Sequence, residues 1–413
     1  MLTKIWFGFF ITGFFAVLYQ VFQGNTGIVG EVVQSTFAMA RLAVEISIGL
    51  MGVLCLWLGL FKIAEDAGLI QGLSRLLSPL FQRLMPEIPP SHPAFGSVTM
   101  NMAANMLGLD NAATPMGLKA MKDLQSLNPS AGIASNAQIL FLVLNTSAVT
   151  LIPVTLFLYR AQQGAAEPAA IFIPVLLATS ASTLTGLLAV SWVQKLNLFD
   201  RVVIAYISGF ILLLTVFMYS LASLSSSKLT EYSSLIGNLT LLSIIILFLT
   251  VGMLKKVDVY DRFIEGAKEG FSTAVHLIPY LVAMLVAIGV LRSSGVLDLL
   301  LEILQQFFQW LGVNTEFIPA LPTAFLKPLS GSGSRAMMLE TMNNYGVDSF
   351  PALLAATIQG STETTFYVIA VYFGSVGIKN VRYAITCGLL ADLAGVLTAI
   401  LVGYWFYYPA ANG

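Results

Sequence analysis

Charge and metal-binding side chains are scarce in this sequence, and the shortage narrows what it can do. Of 413 residues only 20 are Lys or Arg, 21 are Asp or Glu, two are His and two are Cys. With 10% charged and 57% hydrophobic residues, a chain of this length cannot clothe a water-facing surface. His92, His276, Cys55 and Cys387 form no cluster at metal-ligand spacing, so no zinc site is expected. Each cysteine sits inside an apolar run and reads as a buried thiol. A net charge of -1 and the lack of any long Lys/Arg block give no pull toward nucleic acid, which is not expected as a partner. No Ser/His/Asp arrangement and no Gly-rich loop followed by Lys-Ser/Thr occurs, so an enzyme is not expected either. Gly331 to Ala336 spells G-x-G-x-x-A, but the stretch before it carries Pro319, Pro322 and Pro328 and cannot be the strand that a dinucleotide fingerprint needs.

What the chain has in abundance is apolar runs. Stretches of about 18 residues or more, enough to cross a hydrocarbon core of about 30 Å, lie near residues 6–22, 43–61, 137–159, 169–193, 202–224, 235–254, 273–291, 351–373 and 383–406. They predict an all-α polytopic membrane protein with about nine transmembrane helices. The first run ends at Gly24-Asn25-Thr26 without a small-residue cleavage signature, and reads as a retained helix.

The order of features occurs twice. GLFKIAEDAGLI at 59–70 answers GVLRSSGVLDLL at 289–300, and each closes an apolar span with a cation and a small-residue break. An amphipathic helix follows in both cases (72–85 and 297–311), then a proline-bearing stretch, EIPPSHPAF or EFIPALPTAF. Next comes a segment too polar to span, ending MGLKAM or MMLETM, and then a long span entered through NTSAVT or GSTETT. This is the pattern of a loose duplication. Residues 1–200 form the first repeat, 201–234 a linker helix and loop, and 235–413 the second repeat. With the amino terminus cytoplasmic, 14 of the 20 Lys and Arg fall on cytoplasmic stretches. The single linker helix then turns the second repeat over. Inverted repeats with discontinuous helices are the architecture of many secondary transporters.

The two polar segments, 97–121 and 317–342, read as re-entrant helical hairpins, since non-helical backbone at membrane depth must be buried in protein or line a cavity. The first has Asp110 and Asn111 at its turn; the second has Ser330 to Ser334 and then Arg335. Glu363 and Asp392 lie inside apolar spans, where an ionisable group is costly and is a functional candidate by default. Arg335 is a candidate charge partner for either, and a structural ion pair is the plain alternative. Glu45 and His276 lie near span starts and can snorkel. Asn145, Thr146 and Ser147 in the first repeat, with Gln359, Ser361, Thr362 and Glu363 in the second, supply hydroxyls, amides and a carboxylate suited to a polar solute. No cofactor is expected beyond a coupling Na⁺ or H⁺.

At these residues the chain resembles a known family. KIWFGFF, NMAANMLGLDNAATPMGLKAM and LNTSAVTLIP resemble spore maturation protein A, while FLKPLSGSGSRAMM, QGSTETTFYVIAVYFGSVG and LLADLAGV resemble spore maturation protein B. Together they cover nearly the whole chain as a fusion of the two. Both belong to the nucleoside-recognition or Gate group, shared with concentrative nucleoside transporters and the membrane part of ferrous-iron transport GTPases. In the nucleoside transporters a Gln-Thr-Glu stretch in a hairpin binds the nucleoside. Here Thr362 and Glu363 match that stretch and Gln359 is displaced by two positions, while Asn145-Thr146-Ser147 in the first repeat lacks a carboxylate. The absence of a GTPase domain argues against the iron system. The resemblance implies a hairpin-gated secondary transporter of a small polar solute in the bacterial inner membrane, with Glu363 holding the solute or coupling proton. Arg335 and Asp392 would be its charge partners, and Asp110 and Asn111 would assist coupling. The alternative is a non-transporting factor in envelope or spore maturation. Expected partners are the solute and the lipid bilayer, with a homo-oligomer left open.

Overall fold

The computed structural model describes residues 2–89, 92–108, 110–130 and 132–408, with the side chains of residues 2, 3 and 110–112 left aside. The elements are helical throughout: α1 Leu2–Phe22, α2 Ile28–Asp66, α3 Leu69–Leu84, α4 Pro93–Met106, α5 Asp110–Gln125, α6 Asn136–Thr146, α7 Val154–Gln162 and α8 Phe172–Gln194. The linker helix is α9, Arg201–Leu221, and after it come α10 Ser226–Leu254, α11 Val259–Ser293, α12 Val296–Trp310, α13 Leu321–Leu326, α14 Gly331–Tyr345, α15 Phe350–Ser361, α16 Thr365–Ser375 and α17 Ala384–Tyr407. Among the described residues the extended backbone is limited to an isolated bridge between Ile133 and Asn380.

The repeat is visible element by element on either side of α9. A long helix (α2, 39 residues; α11, 35 residues) precedes an amphipathic one (α3, α12). Both amphipathic helices are entered through a glycine in the left-handed region, Gly68 (φ 79°) and Gly295 (φ 77°), a conformation that a side chain would strain. A helical pair follows, α4 with α5 and α13 with α14, then two short helices in line along the chain, then a long apolar helix, α8 or α17.

Seven helices among the described residues are long and apolar enough to cross a membrane: α1, α2, α8, α9, α10, α11 and α17. The other two expected spans are not continuous. α6 stops at Thr146 and α7 resumes at Val154, while α15 stops at Ser361 and α16 resumes at Thr365. Pro153 has no amide hydrogen to continue the first helix. At the second break, Ser361, Thr362 and Thr364 crowd three short hydroxyl side chains where they compete with the helical ladder.

Two compact units emerge, and each is assembled from both repeats. The first comprises 1–62, 156–168 and 260–359; the second comprises 63–155, 169–259 and 360–413. In the first, α2 and α11 run antiparallel in intimate contact, because Gly270 lies against Leu54 and Cys55, Gly266 against Leu58, and Gly289 against Met39. In the second, α8 and α17 do the same, Gly186 against Ala391 and Gly395 against Ser182. Helices that correspond between the repeats therefore pair with opposite direction, as inverted repeats require. Small residues permit this approach, and close packing is what holds helices together where lipid removes the hydrophobic drive. The core of the second unit is an apolar cluster around Phe141, Leu140, Val98, Met121, Ala384 and Phe373.

Candidate functional site

The two helix breaks meet inside the second unit. The backbone N–H of Glu363, in the second break, donates to the carbonyl of Thr146, the last residue of α6, at 2.7 Å. An interrupted helix leaves N–H and C=O groups without partners, and here one repeat satisfies the other. The remaining groups of the first break are met locally. Leu151 N–H donates to the Met106 carbonyl at 2.9 Å, the Thr183 hydroxyl donates to the Ser147 carbonyl, and Thr150 N–H reaches the Thr179 hydroxyl at 3.4 Å.

The α4–α5 hairpin leans on the first break. Gly108 at its turn (φ 70°) has no room for a side chain, since a Cβ there would lie 2.6 Å from the Ile152 carbonyl oxygen. Asn145, at the end of α6, is buried and joins an amide cluster with two asparagines of α4. Its Nδ2 donates to Asn101 Oδ1, and its Oδ1 accepts from Asn105 Nδ2 at 3.0 Å. Asn101 in turn donates to the Ala113 carbonyl of α5 at 2.6 Å. The Tyr372 hydroxyl, from α16, reaches Asn145 Oδ1 at 3.5 Å, with its ring stacked on Phe141 at 5.9 Å. Hairpin, first break and second broken helix are thus one hydrogen-bonded body. Asn101 and Asn105 were absent from the expected site, although their i, i+4 spacing in NMAANM puts two amides on one helix face.

One face of α17 closes the site. Gly388, Asp392 and Gly395 follow at i, i+4 and i+7, so they share a stripe. A Cβ at Gly388 would lie 2.8 Å from Thr365 Cγ2 and 3.8 Å from the Thr146 hydroxyl. One at Gly395 would lie 2.9 Å from Thr362 Cγ2, 3.2 Å from the Ser361 carbonyl oxygen and 3.3 Å from Ser182 Cβ. Between the glycines sits Asp392, 4% exposed, with its Oδ2 accepting from the Thr365 hydroxyl at 2.7 Å. The Thr362 and Ser182 hydroxyls are buried without a hydrogen-bond partner. Glu363 itself is exposed at the break.

The expected residues therefore divide. Asn145, Thr146, Ser147, Ser361, Thr362, Glu363 and Asp392 gather in the second unit. Gln359 and Arg335 belong to the first. There the Ser334 hydroxyl lies 2.5 Å from Gln359 Oε1 and 2.9 Å from the Thr323 carbonyl, and Ser330 caps α14 by accepting from Gly333 N–H at 3.0 Å. The Arg335 guanidinium sits over the Tyr159 ring at 5.4 Å. Asp110 and Asn111 open α5, but their side chains lie outside the described residues. The stretch from Gln359 to Glu363 runs through the end of α15 into the second break rather than through a hairpin. Glu45 pairs with Arg41 at 2.8 Å.

Such a molecule, all-helical, with many apolar spans and two repeats that each place a helical pair before a broken helix, is a polytopic membrane protein. The chain belongs to the nucleoside-recognition family, which it matches over residues 47–162 and 274–379, more than half its length. The two matched segments fall on the two repeats. Over 154 residues the chain is 47% identical to spore maturation protein B of Bacillus subtilis (strain 168), covering 37% of this chain and 85% of that protein. Over 163 residues it is 45% identical to spore maturation protein A of the same organism, covering 40% of this chain and 83% of that protein. Those coverages are what a fusion of the two predicts. No solved structure matches the chain.

Proposed function

We propose that the chain is a secondary transporter of a small polar solute, coupled to Na⁺ or H⁺, in a bacterial inner membrane with its amino terminus cytoplasmic. The observation that carries this reading is the meeting of the two helix breaks, Glu363 N–H on Thr146 O at 2.7 Å, in a region of buried hydroxyls, amides and a carboxylate. Discontinuous helices place backbone dipoles and freed polar groups where a solute can reach them. Glu363 is exposed at that point and would accept hydrogen bonds from a nucleoside-like, amino-acid-like or envelope-precursor solute. Asn145, Thr146, Ser361 and Thr362 would fix its orientation, and the α4–α5 hairpin, hinged on Gly108, would gate access. Transport follows from two arrangements of the α4–α5 hairpin at that site.

The relatives' names favour a second reading, a non-transporting membrane factor in spore or envelope maturation. One experiment separates the two. The purified protein is screened by thermal shift against nucleosides, amino acids and peptidoglycan precursors, and each hit is tested for uptake into proteoliposomes. Transport predicts at least one stabilising solute whose effect Glu363→Gln or Thr362→Ala abolishes with the unliganded melting temperature kept within about 2 °C, and whose uptake depends on an ion gradient. A screen with no hit, or hits that the two variants leave unchanged, sinks the transporter reading.

A further inference from the structure

The hydroxyls around Asp392 follow two different rules. Thr179 and Ser180 on α8 each reach back along their own helix, to Val175 O at 2.9 Å and Leu176 O at 2.6 Å, the usual way a buried hydroxyl is satisfied in an apolar helix. Ser182 on the same helix and Thr362 in the second break make no hydrogen bond, although they are 0% and 4% exposed. A buried hydroxyl left so is costly, and both residues line the same glycine of α17, Thr362 through its Cγ2 and Ser182 through its Cβ. The Ser361 carbonyl oxygen faces the same glycine, 3.2 Å from where a Cβ at Gly395 would lie. One turn away on the same face of α17 is the Asp392 carboxylate, oriented by Thr365.

We propose that Asp392, Ser182, Thr362 and the Ser361 carbonyl hold a sodium ion. Every donor is a hard oxygen, which suits a hard cation and not a soft transition metal. The set carries one formal negative charge, matched by a monovalent ion. Among the described residues no group of three or more acidic, His or Cys side chains gathers, and calcium sites draw on more carboxylates than one. The donors come from α8, α17 and the second break, so the ion ties the break to both long helices. Ser182 was not among the residues expected from sequence. Its place in ATSASTLTG, one of five hydroxyl residues in nine, carries no mark that sets it apart. The inference deepens the transport reading by assigning the coupling ion, and its test needs no solute.

The full chain is purified in detergent, and its melting temperature is measured in NaCl, KCl and choline chloride at fixed ionic strength and pH. Sodium should raise it saturably where potassium and choline do not. Thr362→Val and Ser182→Ala should each raise the half-saturating sodium concentration about tenfold, the loss of one ligand, and Asp392→Asn should abolish the response. Ser180→Ala, which removes a hydroxyl bonded within its own helix, should leave the response intact. Should Asp392→Asn fail to fold, the two hydroxyl variants decide. Equal stability in all three salts overturns the proposal, as does an unchanged sodium response in both hydroxyl variants. A stabilisation that follows pH alone in every salt does so too, by giving the site a proton. A sodium response with no solute hit would refute transport and leave the site standing; a solute hit without a sodium response would do the reverse.

Discussion

Removing the Arg160 guanidinium should loosen the first unit more than any other single polar change in it. Arg160, on α7, is fully buried, and its donors are spent on two turns. Nε donates to Pro168 O at 3.2 Å and Nη2 to Glu167 O at 3.2 Å, while Nη1 donates to Val347 O at 3.0 Å. Nη2 also pairs with Asp348 Oδ1 at 2.9 Å, and the other oxygen of Asp348 accepts from Ala166 N–H at 3.0 Å. A residue of the first repeat therefore stitches its own loop to the loop before α15 in the second. Arg160→Met keeps most of the apolar stem but strands three carbonyls and one carboxylate. Breaking a buried pair costs about 3–5 kcal/mol. Asp348 is 44% exposed and can turn to water, which brings the figure down to about 3 kcal/mol. For a unit of this size that is a fall in melting temperature of about 6–12 °C. Arg160→Lys keeps the charge without the planar fork and should lose about 2 kcal/mol. Asp348→Asn keeps an acceptor and should lose about 1 kcal/mol. Scanning fluorimetry of the detergent-purified variants reads all three. The reasoning is refuted if Arg160→Met melts within about 2 °C of the parent, or if Arg160→Met and Asp348→Ala lower stability additively, since partners in one network must couple.

Two further outcomes follow from packing. Gly270→Ala sets a Cβ at 2.6 Å from the backbone of Leu54 and Cys55, a clash that backbone cannot yield to cheaply. It should cost about 1–3 kcal/mol, and Gly270→Leu should give no monodisperse protein on gel filtration. Gly52→Ala, on α2 with nothing within 4 Å, should be neutral or stabilising by about 0.5–1 kcal/mol, so equal behaviour of Gly52→Ala and Gly270→Ala would discredit the contact. Cutting the chain in the turn at 222–225, between α9 and α10, and co-expressing the pieces should yield a complex that a tag on either piece recovers intact. Each piece expressed alone should aggregate or be degraded, and stable, separately purified halves would contradict the composite units.

The repeat was legible in the sequence because its signals are local: a cation closing a span, a glycine entering an amphipathic helix, a proline-bearing stretch, a polar segment. Each depends on neighbours within a turn or two. The helix breaks were not legible as breaks, since 137–159 and 351–373 are apolar enough on average to read as continuous spans. The polar residues inside them were seen as candidates to bind a solute, but on continuous helices. What stops α6 and α15 is a choice of hydrogen-bond partner, and the partner of Glu363 N–H, Thr146 O, lies 217 positions earlier in the chain. The same distance hides the amide cluster: Asn145 and Tyr372 are 227 residues apart. Arg160 passed as one of the six cations outside the cytoplasmic stretches because its partners are mostly backbone carbonyls, which carry no sequence signal. Asp392 stood out because a carboxylate in an apolar helix is conspicuous on its own.

Why both repeats build the second unit follows from the breaks themselves. A helix that stops at membrane depth exposes polar backbone that lipid cannot satisfy. Within one repeat the hairpin covers part of this deficit, as Met106 O does for Leu151 N–H, but the end of α6 still has an acceptor to place. The second repeat, inverted, brings a break with a complementary donor. Two copies of one motif in opposite directions thus complete each other's hydrogen bonding where the breaks cross. The solute and ion sites proposed above lie where the repeats supply each other's hydrogen bonds. Binding there would draw on the same atoms as assembly, so a ligand at the crossing should stabilise the association of the repeats.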